Sequence, residues 1–283
     1  MIGLGVGKTQ GLTVRAGQTG YRRWMWLGWT AALGLLVLAL LWWFPARWLQ
    51  APVQARLAGW QLQQVEGSIW QGRAGELLDP QGQPLGSLQW QLSRRALLGD
   101  LRLSMQIAGP RLQLHGNMRR LSSTELTLDR IELNMDARLL QSWQLSPVPI
   151  EGRLQLQIDH AQLRGGWPLA LVAQGQWRQA SLRNGAETVA LGDLAFTAEV
   201  VNGVLQARAH DLGDGPLGLV GNAAMSPLGW RAQARLQARD GDPALTRWLR
   251  QLGPLDARGM VQLQRQGGLA ALVPLSSSST DTP

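Results

Sequence analysis

The chain has 283 residues, enough to bury a core in one large domain or two small ones. It contains no cysteine, which excludes disulfides, thiolate metal sites and thiol nucleophiles. Its formal charge is +8, but all but one of its 27 basic residues are arginines dispersed along the chain rather than gathered in a stripe, so a nucleic-acid footprint is not expected.

Residues 1–23 carry Lys8, Arg15, Arg22 and Arg23 and no acid. GLGVGKT at 3–9 looks like a phosphate-binding loop, but the glycine needed five positions before the Gly-Lys pair is Ile2, and a preceding strand has no room. The segment reads as a cytoplasmic tail.

From Trp24 to Phe44 run 21 residues without a charge. At helical rise this spans a hydrocarbon core of about 30 Å, so a single transmembrane helix is expected. A cleaved secretory signal is the competing reading; the apolar run is too long for one, and PARWLQAPV after it offers no small-x-small site. Trp24, Trp26, Trp42 and Trp43 sit at its two ends, where indole rings favour the membrane interface. The basic tail orients the helix with its N-terminus in the cytoplasm, and residues beyond a linker at 45–59 on the other side, the periplasm of a bacterial cell.

The exported part alternates apolar and polar residues, as in Leu101, Leu103, Met105 and Ile107, or Ala232, Ala234, Leu236 and Ala238. This period of two predicts strands with one buried face. Turn chemistry recurs between them at 79–84, 108–110, 183–185, 201–203 and 213–216, which predicts an antiparallel meander. Two stretches have helical spacing instead: MDARLLQSWQL at 135–145, and DPALTRWLRQL at 242–252 with Asp242 and Pro243 as cap and first-turn residue. Each predicts one short helix. Residues 268–283 form a tail whose polar end has nothing to pack.

Laid against itself at an offset near 106, the chain matches in order: Trp70 near Trp177, Leu85 and Gly86 on Leu191 and Gly192, Trp90 on Phe196, Gly109 and Pro110 on Gly215 and Pro216, Leu139 on Leu245. The fold expected is therefore mainly β: after the anchor, a long curved antiparallel sheet of two similar units, 60–166 and 167–267, with two short helices. Its edges are places where other strands can add.

Trp70, Gly72, Trp90 and Trp177 are the candidate partner-binding or core residues, since a small residue two positions from an indole leaves room for the ring. His115, His160 and His210 are isolated, and Asp129, Glu132, Asp136 and Glu151 are scattered, so no catalytic set, cofactor or metal is expected.

LLWWFPARWL, VEGSIWQGRAGEL, LGSLQWQLSRRALLGDLRL, LGDLAF and PALTRWLRQLGPLDARGMVQLQ together resemble the type II secretion system protein N family, over roughly residues 24–268. The resemblance implies a non-enzymatic, single-pass inner-membrane protein of a Gram-negative bacterium. Its periplasmic domain would contact the outer-membrane secretin or the inner-membrane platform of the machinery that exports folded proteins. The family supplies no catalytic or ligand motif, and the glycine-rich residues 1–20 are a departure from it. A second class shares the anchor and the alternating strands: an AsmA-like lipid-handling protein with an apolar trough.

Overall fold

A computed structural model describes residues 59–268, apart from 147, 186, 214 and 240, together with residue 46. The expected transmembrane helix, its tryptophans Trp24, Trp26, Trp42 and Trp43, the GLGVGKT stretch and the tail from 269 lie outside the described residues. Among those described, no helix is long and apolar enough to cross a membrane.

The strands are β1 Gln61–Gly67, β2 Gln71–Leu78, β3 Pro84–Leu92, β4 Arg102–Ala108, β5 Leu112–Arg120, β6 Glu125–Asp136, β7 Ile150–Arg164, β8 Trp167–Asn184, β9 Glu187–Val201, β10 Val204–Asp211, β11 Leu217–Ser226, β12 Gly229–Ala238 and β13 Met260–Gly268. They form one sheet of 13 strands in sequence order. Every neighbouring pair is antiparallel, as short polar turns between alternating segments require.

Two α-helices interrupt the meander: α1, Arg138–Ser142, joins β6 to β7, and α2, Pro243–Leu252, joins β12 to β13. In α2 the Asp242 carboxylate accepts the N–H of Ala244 at 2.8 Å, and Pro243 occupies the first turn, where no donor is needed. In α1 the cap is Ala137, which offers no side-chain acceptor, and the helix is only five residues long. A 3₁₀ turn at Arg94–Leu98 links β3 to β4.

Each helix closes a separate core. Leu139 of α1 is fully buried with Ala74, Leu77, Leu85, Ile107 and Met135, while Leu245 and Leu249 of α2 are buried with Ala180, Val189, Leu191, Leu217 and Val261. All these positions lie near the same end of the strands, where odd strands begin and even strands finish. At the opposite end the strands meet only in turns such as 165–166 and 202–203.

The two cores share their hydrogen-bond register. Ala74 faces Leu88 as Trp177 faces Leu194, Leu77 faces Gly86 as Ala180 faces Gly192, and Leu78 faces Pro84 as Ser181 faces Ala190. Gly86 and Gly192 both have φ in the left-handed region, +128° and +89°. Each also lies so close to a second glycine that a Cβ on Gly109 would fall 2.9 Å from Gly86 Cα, and one on Gly215 would fall 2.6 Å from Gly192 Cα. Side chains are excluded at both places by backbone contact.

Register also corrects one sequence match. The offset is 103 on the first strand of each hairpin (74 to 177) and 106 on the second (88 to 194), because five residues separate Leu78 from Pro84 but eight separate Ser181 from Ala190. Trp177 thus stands in the place of Ala74. The place of Trp70, whose carbonyl accepts the N–H of Leu92 at 2.7 Å, is taken by Ala173, opposite Ala198.

Candidate functional site: a two-faced sheet with open edges

Directly opposed residues of an antiparallel ladder share a face, so the register can be followed across the whole sheet. The row that begins at Val65 and ends at Leu263 passes through Leu88, Leu114, Leu133, Leu156 and Phe196, and each of its positions is apolar or glycine. The adjacent row, one residue along, runs from Glu66 through Gln89, His115, Gln157, Gln174 and Arg208 to Gln264, and no position in it is apolar. The sheet has an apolar face and a glutamine-rich polar face.

Among the described residues the cores cover only the helix end of the apolar face. Toward the turn end, Leu103, Met118 and Leu128 are half-buried, and Met225 and Trp230 are exposed. The polar face carries a cleft of about 830 Å³ lined by strands β4 to β10, among them Gln106, His115, Glu132, Gln157 and Gln174. Gln174 Nε2 donates to Gln157 Oε1 at 3.3 Å across the β7–β8 pair.

Three of the four candidate residues meet at the β1–β3 end of the sheet, with Gly72 and Trp90 in the row of Met105 on the apolar face. Trp70 is buried, 5% exposed, at the bend between β1 and β2. Gly72 lies opposite Trp90, whose ring lies over it so closely that a Cβ on Gly72 would come 2.9 Å from Cε2. The Trp90 indole N–H donates to the carbonyl of Ile69 at 3.3 Å. Trp177 belongs to the other core; its indole N–H donates to the Glu151 carbonyl at 3.0 Å. Glycine beneath an aromatic ring recurs at Gly175, where a Cβ would lie 2.5 Å from Cε2 of Phe196, a pairing that the adjacent pair Gly175 and Trp177 in sequence does not reveal.

Some of the titratable groups are engaged in ion pairs along the surface. His160 Nδ1 lies 2.7 Å from Asp129, Arg138 bonds Asp136 at 2.8 Å, and Arg183 reaches Glu151 at 3.5 Å. Burial pushes the Asp136 carboxyl upward, but hydrogen bonds and charge from Arg138 outweigh it and leave the group below the usual carboxylate range. Asp100 is likewise held low, first by its hydrogen bond from Arg102 and with help from Arg119. Among the described residues no group of three or more histidines and carboxylates could hold a metal.

What this arrangement offers chemically is surface: long apolar and amide rows, and two strand edges, β1 and β13, each paired on one side alone among the described residues. It defines a protein built on a single antiparallel sheet. Residues 58–264 match the family described as Type II secretion system (T2SS), protein N. The chain is also 31% identical over 148 residues to the Type II secretion system protein N of Vibrio cholerae serotype O1, a stretch that is 50% of this chain and 58% of that relative. No solved structure matches it. The chain belongs to the type II secretion system protein N family.

Proposed function

We propose that the protein is a non-enzymatic, inner-membrane-anchored periplasmic subunit of the type II secretion machinery, contacting the secretin or the inner-membrane platform during export of folded proteins. The observation that carries this reading is the open edge of a large sheet: β13 pairs with β12 over nine residues, Gly229↔Gly268 to Gln237↔Met260, without a bulge, and has no strand on its other side among the described residues. Such an edge offers a row of unpaired N–H and C=O groups to a strand from a partner. Membership of the family supports the setting. The anchor at 24–44 and the division into units at 60–166 and 167–267 are part of the same proposal, the second supported by the shared register and paired glycines.

Capture of the full chain from detergent-solubilised membranes tests it. Recovery of a secretin or platform component is expected, and recovery of neither would defeat the reading.

A second reading, an AsmA-like lipid-handling protein, draws on the apolar row from Val65 to Leu263 and on the exposed Met225 and Trp230. Stoichiometric phospholipid seen by mass spectrometry of the purified periplasmic part would favour it over the subunit reading.

A further inference from the structure

The polar face changes character along the sheet. In its first half several arginines are matched by acids, Arg73 with Glu66 at 2.6 Å, Arg102 and Arg119 with Asp100 at 2.9 and 3.1 Å, and Arg164 with Glu125 at 2.5 Å, while Arg153 and Arg178, opposite each other on β7 and β8, make no ion pair among the described residues. Toward the last strands acids become scarce. Strands β11, β12 and β13 contain no Asp or Glu, and Asp211 at the end of β10 is taken up by Arg239.

Three arginines on β10 and β12, Arg208, Arg231 and Arg235, are exposed and make no ion pair among the described residues. Glu199 of β9, diagonal to Arg208 across the ladder, does not pair with it. The register fixes their layout: Arg208 lies level with Asn222 and Gln233, and Arg231 and Arg235 flank Gln233 on the same face of β12. At the rise of a strand Arg231 and Arg235 are about 13 Å apart, and Arg208 stands two strands away, about 10 Å from Gln233. Two adjoining depressions of about 410 and 270 Å³ lie between them and share Arg208, Asn222 and Gln233.

We propose that this patch binds an acidic, extended segment of a partner protein. Guanidinium groups hold carboxylates through paired N–H donors, and the amides of Asn222 and Gln233 can bond the segment's backbone. Their spread is wider than a single phosphate and matches carboxylates four residues apart on an extended chain. A membrane surface fits less well, because the interfacial aromatic of these strands, Trp230, faces the other way, in the row with Met225 and Leu205. The patch lies on the face of the sheet and not its edge, so its test stands or falls apart from the secretion reading.

The probe is a fluorescein-labelled peptide of alternating glutamate and threonine, titrated with detergent-solubilised full chain and followed by anisotropy. Substituting Arg208→Gln, Arg231→Gln and Arg235→Gln together is expected to weaken binding by at least about tenfold. The charge-matched control Arg102→Gln, Arg119→Gln and Arg164→Gln is expected to change it by less than about twofold. Arg235→Gln alone, on an exposed site where folding is not at risk, is expected to weaken binding about threefold. Equal weakening by both triple variants would overturn the proposal, as would failure of the unsubstituted chain to bind the peptide. Binding of phosphatidylglycerol vesicles that needs the three arginines, with no binding of the peptide, would replace it with a membrane contact.

Discussion

The paired glycines put a hard constraint on single residues. Gly192 has a left-handed φ of +89° and touches Gly215, whereas Gly203 has φ +76° at a turn with open space around it. Gly203→Ala is therefore expected to cost only the strain of its backbone, about 1–3 kcal/mol, and Gly192→Ala to cost the same strain with the collision added. Urea denaturation of the two variants separates these costs. Trp70→Ala should destabilise by about 3–5 kcal/mol, the cost of truncating a buried aromatic; an unchanged melting temperature would assign the ring to a surface role instead. Asp211 adds a pH dependence. Burial pushes its carboxyl up, but the N–H of Leu219, the Arg239 guanidinium and the N–H of Gly213 together hold it below its ordinary value. A carboxyl lowered in the folded state contributes stability above its unfolded pKa, near 3.9 on the usual scale, and that stability is lost as pH falls through the folded value. Asp211→Asn is expected to be less stable than the parent at neutral pH and to converge on it in acid, as read from denaturation midpoints across that range.

At the scale of elements, strands and turns were legible because each depends on neighbours in sequence. Alternation such as Leu101, Leu103, Met105 and Ile107 declares two faces whatever the register, and NG at 202–203 and DPQGQ at 79–83 declare turns by backbone chemistry alone. Helix α2 was equally legible, since Asp242 and Pro243 announce its start. Asp242→Ala should cost about 1 kcal/mol, the value of a side-chain cap, measurable by thermal melting. The helical spacing at 135–145 overran the true α1, because Met135 and Asp136 stay in β6, paired with Leu112, Leu154 and Arg153. Cross-strand partners were not legible. Three extra residues in the β8–β9 hairpin carry no sequence mark, yet they move Trp177 from the expected place of Trp70 to that of Ala74. The three arginines were invisible as a group for the same reason: their proximity is a property of register, and sequence separates Arg208 from Arg231 by two turns and an entire strand.

Across the whole molecule, two cores share one uninterrupted sheet. Strands β7 and β8 join them through pairings that extend from Ile150↔Leu182 to Arg164↔Trp167. Leu249→Ala removes a fully buried side chain from the second core and should cost about 2–5 kcal/mol. Native-state hydrogen exchange is expected to show that loss first in β9 to β13, with the amides of β2 to β5 still protected by the core around Leu139. Uniform loss across all strands would mean the two cores unfold as one.

The parity of the meander has a geometric outcome. With an odd number of antiparallel strands, β1 and β13 point the same way, so the chain enters the sheet at Gln61 beside the helices and leaves it at Gly268 beside the turns. Nine residues of β13 alone set those two points about 30 Å apart along the strand axis. The described strands thus begin at one rim and finish at the other, Gln61 at the helix end and Gly268 at the turn end.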